Sequence, residues 1–401
     1  TPTMPRMVRR ALQRRARGAA TLLDWSRRSV ADVFGEYFDD WHVTMPAVST
    51  GPTVWGVPPD TPGTGLAAAL YATRHQIKTG RPVGGSGALT DAIWASFEAA
   101  GGKTRCGVRV RSLQIHDGAV TGVALADGTS AHAPVVVAAC DPSRVFVEWI
   151  DEPPPAARRF VQEIRAAPEH DGYESKIDAV LSALPRYRNV DGIHEQVPGL
   201  DVLSPTTVVS PSPDQLAHAH RLRVDGQVAD QPTLLVNVPS VLDPTLQPDS
   251  SSHILSLEVL YTPYSLQGGW PGSAEPRRWL EVWASMVEPG ALDTIAAWRA
   301  MTPDRYEAEF SMHRGHTPAF AGSPLATLVG RPKPSTRYRT PVCGLYVSGA
   351  ATYPGAGIFG ASGRNTAAVV RRDLEGAIAR RVGRARRVAA GLRARRVSGV
   401  S

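Results

Sequence analysis

The chain has 401 residues, 42% hydrophobic and 20% charged, with a formal charge of +7 at pH 7. That composition excludes a disordered or fibrous protein and leaves room for one large core or two domains. No run of about 18 apolar residues argues for a membrane-spanning helix, and three scattered cysteines (Cys106, Cys140 and Cys343) argue against a disulfide framework or a zinc site and for a reducing, cytoplasmic setting.

The positive charge sits at the two ends. Residues 1–28 sum to +7 and residues 371–401 to +8, which leaves the body, 29–370, at −8. A nucleic-acid reader carries a basic face within its fold, so this distribution argues against a nucleic-acid partner. Met7–Gly18 reads as an arginine-rich helix with one solvated face, or alternatively as a helix lying on anionic lipid. The first residue is Thr1 and no signal-peptide pattern follows it, so the expectation is a trimmed or fragmentary start.

Ser29–Phe38 opens with a serine cap and spaces apolar residues three and four apart, which predicts a helix. Pro46–Gly65 reads as a loop and Thr64–Thr73 as a second helix. Gly80–Thr90 is a glycine-rich turn that leads into a helix over Leu89–Ala100, closed by Gly101-Gly102. Short strands are expected at Thr104–Val108, Arg109–His116, Val120–Leu125 and Val135–Ala139, with turns at Asp117-Gly118 and Asp127-Gly128. The last of these is apolar throughout, as in a strand of a parallel sheet.

From Asp151 to about Phe310 the pattern becomes α+β. Helices are expected near Ala156–Ala167, Trp279–Met286 and Leu292–Ala300, and strands at Lys176–Ala183, Leu234–Pro239 and His253–Tyr261. Gly344–Gly349 then reads as a buried strand running through a glycine turn into a helix over about Ala361–Arg381. The fold class is thus α/β at both ends and α+β overall. The divisions are 1–80 (helical, basic start), 81–150 (α/β), 151–310 (inserted α+β domain), 311–372 (α/β) and 373–401 (arginine-rich tail).

Gly355-Ala-Gly-Ile-Phe-Gly360 fits G-x-G-x-x-G between a strand and a helix. A Rossmann unit also needs a second strand that ends in an acid about 20 residues on. Here Asp373 and Glu375 fall inside the helix, so no βαβ unit closes. The turn still suits the anionic end of a ligand, because glycines admit a close approach and a helix start offers N–H groups. His313 and His316 have no carboxylate or cysteine at metal spacing and read as surface histidines, so no metal is expected. No G-x-S-x-G elbow and no P-loop lysine pattern occurs, which disfavours serine hydrolysis and phosphoryl transfer.

Three segments together resemble one family, the phytoene desaturase-like FAD-dependent oxidoreductases. They are Arg81-Pro-Val-Gly-Gly-Ser-Gly-Ala-Leu-Thr-Asp91, then Gly118–Gly128 with Val135–Pro142, and then Tyr338-Arg-Thr-Pro through Gly363-Arg-Asn-Thr-Ala367. Ser175-Lys-Ile-Asp178 and Leu184-Pro-Arg186 anchor the looser middle. Tyr353 and Ser348 stand where the family usually has histidine and often has cysteine.

The resemblance implies an incomplete FAD-binding Rossmann-like domain, without the family's opening strand and glycine motif, and an inserted substrate domain. It implies FAD as cofactor and hydride transfer from an apolar or small organic substrate to flavin N5. Carried over by position, Val110 and Ala139 meet the adenine side of FAD, and Gly349 and Ala350 lie near the ribityl chain and pyrophosphate. Gly357, Ile358, Phe359 and Gly360 present the helix start to the flavin ring. No acid or base is assigned. The alternative is a cofactor-free remnant that serves as a binding or membrane-surface module, peripheral to the membrane through its basic ends.

Overall fold

The computed structural model describes residues 17–50, 58–74, 80–166, 171–317, 336–355 and 360–378. By contacts the described residues fall into two units, one from Thr1–Val108 with Ala167–Val329 and one from Arg109–Ala166 with Gly330–Ser401. The first boundary thus follows Val108, so the helix entered through the glycine run groups with the first unit.

Ten strands occur among the described residues. They are β1 (Val110–His116), β2 (Ala119–Leu125), β3 (Ser130–His132), β4 (Val136–Ala138), β5 (Tyr173–Leu181), β6 (Thr207–Val209), β7 (Leu234–Asn237), β8 (His253–Thr262), β9 (Ile295–Met301) and β10 (Leu345–Val347). The first unit holds a five-stranded antiparallel sheet in the order β6-β7-β8-β5-β9. The second holds the meander β1-β2-β3 and the parallel pair β4 and β10.

The five-stranded sheet follows from a period of two in the sequence. Along β5 every odd residue from Tyr173 to Leu181 is buried, and the even ones, Glu174, Lys176, Asp178 and Val180, are half-buried. Ile177, Ala179 and Leu181 join Leu234, Val236, Leu255, Leu257 and Val259 on the inner face. The Glu275–Ala284 helix covers that face with Trp279, Leu280 and Trp283, all fully buried. Pro276 lies in its first turn, where a missing N–H costs nothing. The Pro213–Val224 helix is fixed by a capping box between Ser212 and Gln215.

In the second unit Asp117 and Gly118 both have positive φ (49° and 75°), the left-handed pair that closes a two-residue hairpin, and His116 pairs with Ala119 across it. Leu113, Val120, Ala138, Phe146, Val161, Leu345 and Val347 share the core. Phe146 meets Phe160 edge to face at 4.8 Å.

Several expectations change. Residues 41–50, half of them expected as loop, form the Trp41–Thr50 helix with Pro46 inside it, and its entry is fixed by Asp40, which accepts from the His42 N–H at 2.9 Å. Thr104–Val108 is not a strand; its residues are largely exposed and pair with nothing as a ladder. The glycine run already belongs to the helix, which spans Gly85–Ala99, with the Gly84 N–H held by Asp243 at 2.6 Å. Leu292–Ala300 is a short 3-10 turn followed by strand β9 and not a helix, because pairing with β5 (Asp178 opposite Arg299) overrides the alanine-rich local preference. His313 and His316 are half-buried rather than on the surface. Met7–Ala16 and the end of the last helix beyond residue 378 lie outside the described residues.

Candidate functional site

In the second unit the site is built at the carboxyl ends of β4 and β10. Val347 pairs with Ala138, and the Ser348 N–H donates to the Ala138 carbonyl at 2.9 Å, so Ala139 and Gly349 emerge side by side. Ligands of open parallel sheets bind at this end of the strands. Gly349 has φ +82°, and a Cβ there would lie 3.2 Å from the Ala139 carbonyl oxygen. The strand ends can touch only because this position has no side chain.

A set of buried hydroxyls ties the turn to the helix over 361–378. The Gly349 carbonyl accepts from Thr352 Oγ1 at 2.8 Å, and Ser362 Oγ lies 3.0 Å from it. Thr366 Oγ1 lies 3.2 Å from the Val347 carbonyl, 3.1 Å from Ser348 Oγ and 2.9 Å from the Ser362 carbonyl. Thr352 and Ser362 are themselves hydrogen-bonded. Thr352, Ser362 and Thr366 thus add side-chain bonds to backbone carbonyls on either side of the turn.

The surrounding signature residues act as braces. Tyr338 Oη donates to the Tyr353 carbonyl at 2.8 Å and accepts from Asn365 Nδ2 at 2.8 Å. Arg339 grips Asp373 through two bonds of 2.7 Å, and Tyr346 Oη adds a third at 3.0 Å. The Arg339 bonds, then the Tyr346 bond, hold the Asp373 carboxyl below the usual carboxylate range. Burial, then Asp373, pushes the Tyr346 phenol up to about 12. This end of the sequence is therefore a frame that fixes strand, turn and helix together.

Of the residues expected at the cofactor, Ala139 and Gly349 are brought into contact, and Ala350 is exposed beside them. Gly360 is exposed at the start of the 361–378 helix, with nothing within 4 Å of where a Cβ would stand. Val110 opens β1 opposite Leu125, in the other sheet of the same unit. Gly357, Ile358 and Phe359 lie outside the described residues. The small exposed residues, the approachable backbone and the helix start fit the anionic half of a dinucleotide.

The first unit carries a second array that the sequence reading left without a role. Asn237, Ser256, Asp178 and Arg299 form one cross-strand row over β7, β8, β5 and β9, on the face opposite the core, and Thr206, just before β6, bonds to Asn237 at its end. Lys176 lies opposite Glu258 in the next row and pairs with Asp178 at 2.8 Å, and Arg299 stands 3.6 Å from the same carboxylate. Burial, and then Glu258, pushes the Glu174 carboxyl up to about 7. Burial also raises Glu258 and the Tyr306 phenol. The available signal was the alternation of Glu174, Lys176 and Asp178 between apolar or small residues in β5.

Comparison with known proteins gives the family context. Residues 7–172 match the family described as flavin containing amine oxidoreductase. Pyridine nucleotide-disulfide oxidoreductase domain-containing protein 2 of Mus musculus is 31% identical over 304 residues, covering 73% of this chain and 51% of that protein. The chain thus spans about half the length of that relative. A lycopene-forming phytoene desaturase of Pseudescherichia vulneris is 24% identical over 352 residues, covering 87% of this chain and 67% of the desaturase.

The chain is similar to phytoene desaturases and to the flavin containing amine oxidoreductases. An oxidoreductase structure from Methanosarcina mazei shares the fold, with TM-score 0.54 and 15% identity, covering 87% of this chain and 68% of that one. FAD is the cofactor of the group, and the cradle around Gly349 in this phytoene desaturase-like chain has the small residues and backbone such a ligand needs. Among the described residues no helix is long and apolar enough to cross a membrane.

Proposed function

We propose that the chain works within an FAD-dependent oxidoreductase of the dehydrogenase or desaturase type, which takes hydride from an organic substrate to flavin N5. The observation that carries this reading is the contact between Gly349 and the Ala139 carbonyl at the carboxyl ends of two parallel strands. Bound FAD would supply the two-electron acceptor. The chain's own part is to hold Gly349, Ala350 and Ala139 open to the ligand, with Ser362, Thr352 and Thr366 locking the turn in place. Arg339 and Asp373 keep the 361–378 helix registered on β10.

Gly349→Val is the test. A β-branched residue at φ +82° is strained by about 1–2 kcal/mol, and its Cβ would crowd the Ala139 carbonyl at 3.2 Å. The wild-type chain is expected to quench flavin fluorescence on titration with FAD and to keep the visible flavin band through desalting. The variant is expected to bind at least about tenfold more weakly with unchanged far-UV circular dichroism. No FAD binding by the wild type, or equal binding by the variant, would overturn the reading.

A further inference from the structure

The polar row on the five-stranded sheet ends at an arginine with spare donors. Arg81 Nη2 donates to Asn237 Oδ1 at 2.8 Å and lies 3.3 Å from Thr206 Oγ1, which itself donates to Asn237 Oδ1 at 2.7 Å. Both anchors are uncharged, and they fix the guanidinium through one nitrogen. Among the described residues Nε and Nη1 of Arg81 have no partner, and no carboxylate forms an ion pair with it. The other two cations of this face are already engaged, since Lys176 and Arg299 both stand against Asp178.

We propose that Arg81 is the anchor for a carboxylate on the substrate, so that this sheet face takes a small organic acid rather than a hydrocarbon. Calling the ligand a substrate rests on the oxidoreductase reading; the binding site itself does not. With Nη2 held by Asn237 and Thr206, Nε and Nη1 each keep a charge-assisted N–H donor for a carboxylate oxygen. A hydrocarbon lying across Asn237, Ser256, Asp178 and Arg299 would strip water from them and return no hydrogen bond. A phosphate dianion is disfavoured as well, because the Asp178 carboxylate shares the face and opposes a second negative charge.

The position is built and not incidental. Three residues after Arg81, the Gly84 N–H is held by Asp243 at 2.6 Å, which fixes the segment against the sheet's own connection. Arg81 also acts electrostatically on Glu258 in the neighbouring row and lowers its carboxyl against the burial that raises it. The guanidinium therefore sits within reach of the face's charges while keeping its outer edge for a ligand.

The experiment is ligand binding by calorimetry to the full chain without added FAD, with hexanoate, hexanamide and hexyl phosphate as probes. Hexanoate is expected to bind at least about tenfold more tightly than hexanamide, and more tightly than hexyl phosphate. Arg81→Gln is expected to remove the preference for hexanoate over hexanamide, and Arg81→Lys to keep part of it, as a charge without the fork. Thermal unfolding of both variants should match the wild type. No binding of hexanoate, equal binding of acid and amide, tighter binding of the phosphate, or an unaltered preference in Arg81→Gln would each overturn the proposal. Because no flavin is present, these outcomes are independent of the Gly349 result.

Discussion

Trp283→Ala is expected to lower the stability of the first unit by about 3–5 kcal/mol, the range for emptying a large aromatic site in a core. The indole is fully buried in a cluster with Ile177, Leu234, Leu255 and Leu257, so its removal leaves a cavity between helix and sheet that these strands cannot close by themselves. Urea unfolding followed by circular dichroism reads the loss. Trp298→Ala is the comparison, since Trp298 lies on the edge strand β9 at 40% exposure, where substitutions change stability by about 0.5 kcal/mol or less. A loss below about 1 kcal/mol at Trp283 would contradict the packing of the Glu275–Ala284 helix on the sheet. The polar face depends on that packing too, because each strand that buries Ile177 or Leu257 inward presents Lys176, Asp178 or Glu258 outward.

The second large effect depends on pH. His220 is buried (7% exposed), 4.2 Å from the Tyr261 ring, and burial, with Arg223 adding to it, lowers its imidazole from 6.5 to about 3. Between these values the unfolded chain binds a proton that the folded one refuses. His220 therefore contributes stability above pH 6.5 that is lost as pH falls toward 3, on the order of 4–5 kcal/mol by linkage. Glu174 has the opposite sign. Its carboxyl is raised from 4.5 to about 7, so its contribution is fully present below 4.5 and is lost as pH rises through 7.

The two contributions oppose each other between pH 4.5 and 6.5, and below 4.5 His220 acts without that offset. His220→Phe keeps the ring packing and removes the proton site. The difference in unfolding free energy between variant and wild type should shift in the variant's favour as pH falls from 7 to 4. A difference that stays constant with pH would show that His220 is not held neutral.

Much of this was legible in the sequence where one local rule decided the matter. The Ser29 capping box, the Asp117-Gly118 turn and the strands β5, β7, β8 and β10 each follow from residues close together in the chain. Ala139 and Gly349 stood out through a motif, and the contact between them needed the fold. Failures came where distant partners decide. Residues 295–301 carry a helix former at most positions and are a strand because β5 is alongside. Thr104–Val108 has strand-like composition but no neighbouring strand to pair with. The polar row was illegible for a related reason, since its members Asn237, Ser256, Asp178 and Arg299 come from four strands and meet only through register.

The parallel pairing of β4 with β10 joins Val136 to Leu345, with the whole five-stranded sheet encoded between them. Its contacts are among the most distant in sequence, and closing so long a loop must precede any gain from the pairing. The five-stranded sheet is drawn from one continuous stretch, Tyr173–Met301, and can form without waiting for either end. During synthesis the residues of the sheet emerge first, and the Gly349 turn becomes a shaped surface only after residues beyond Val347 have left the ribosome. A chain interrupted after Met301 would keep the polar sheet face and lack β10 and the Gly349 turn, the place proposed for the flavin.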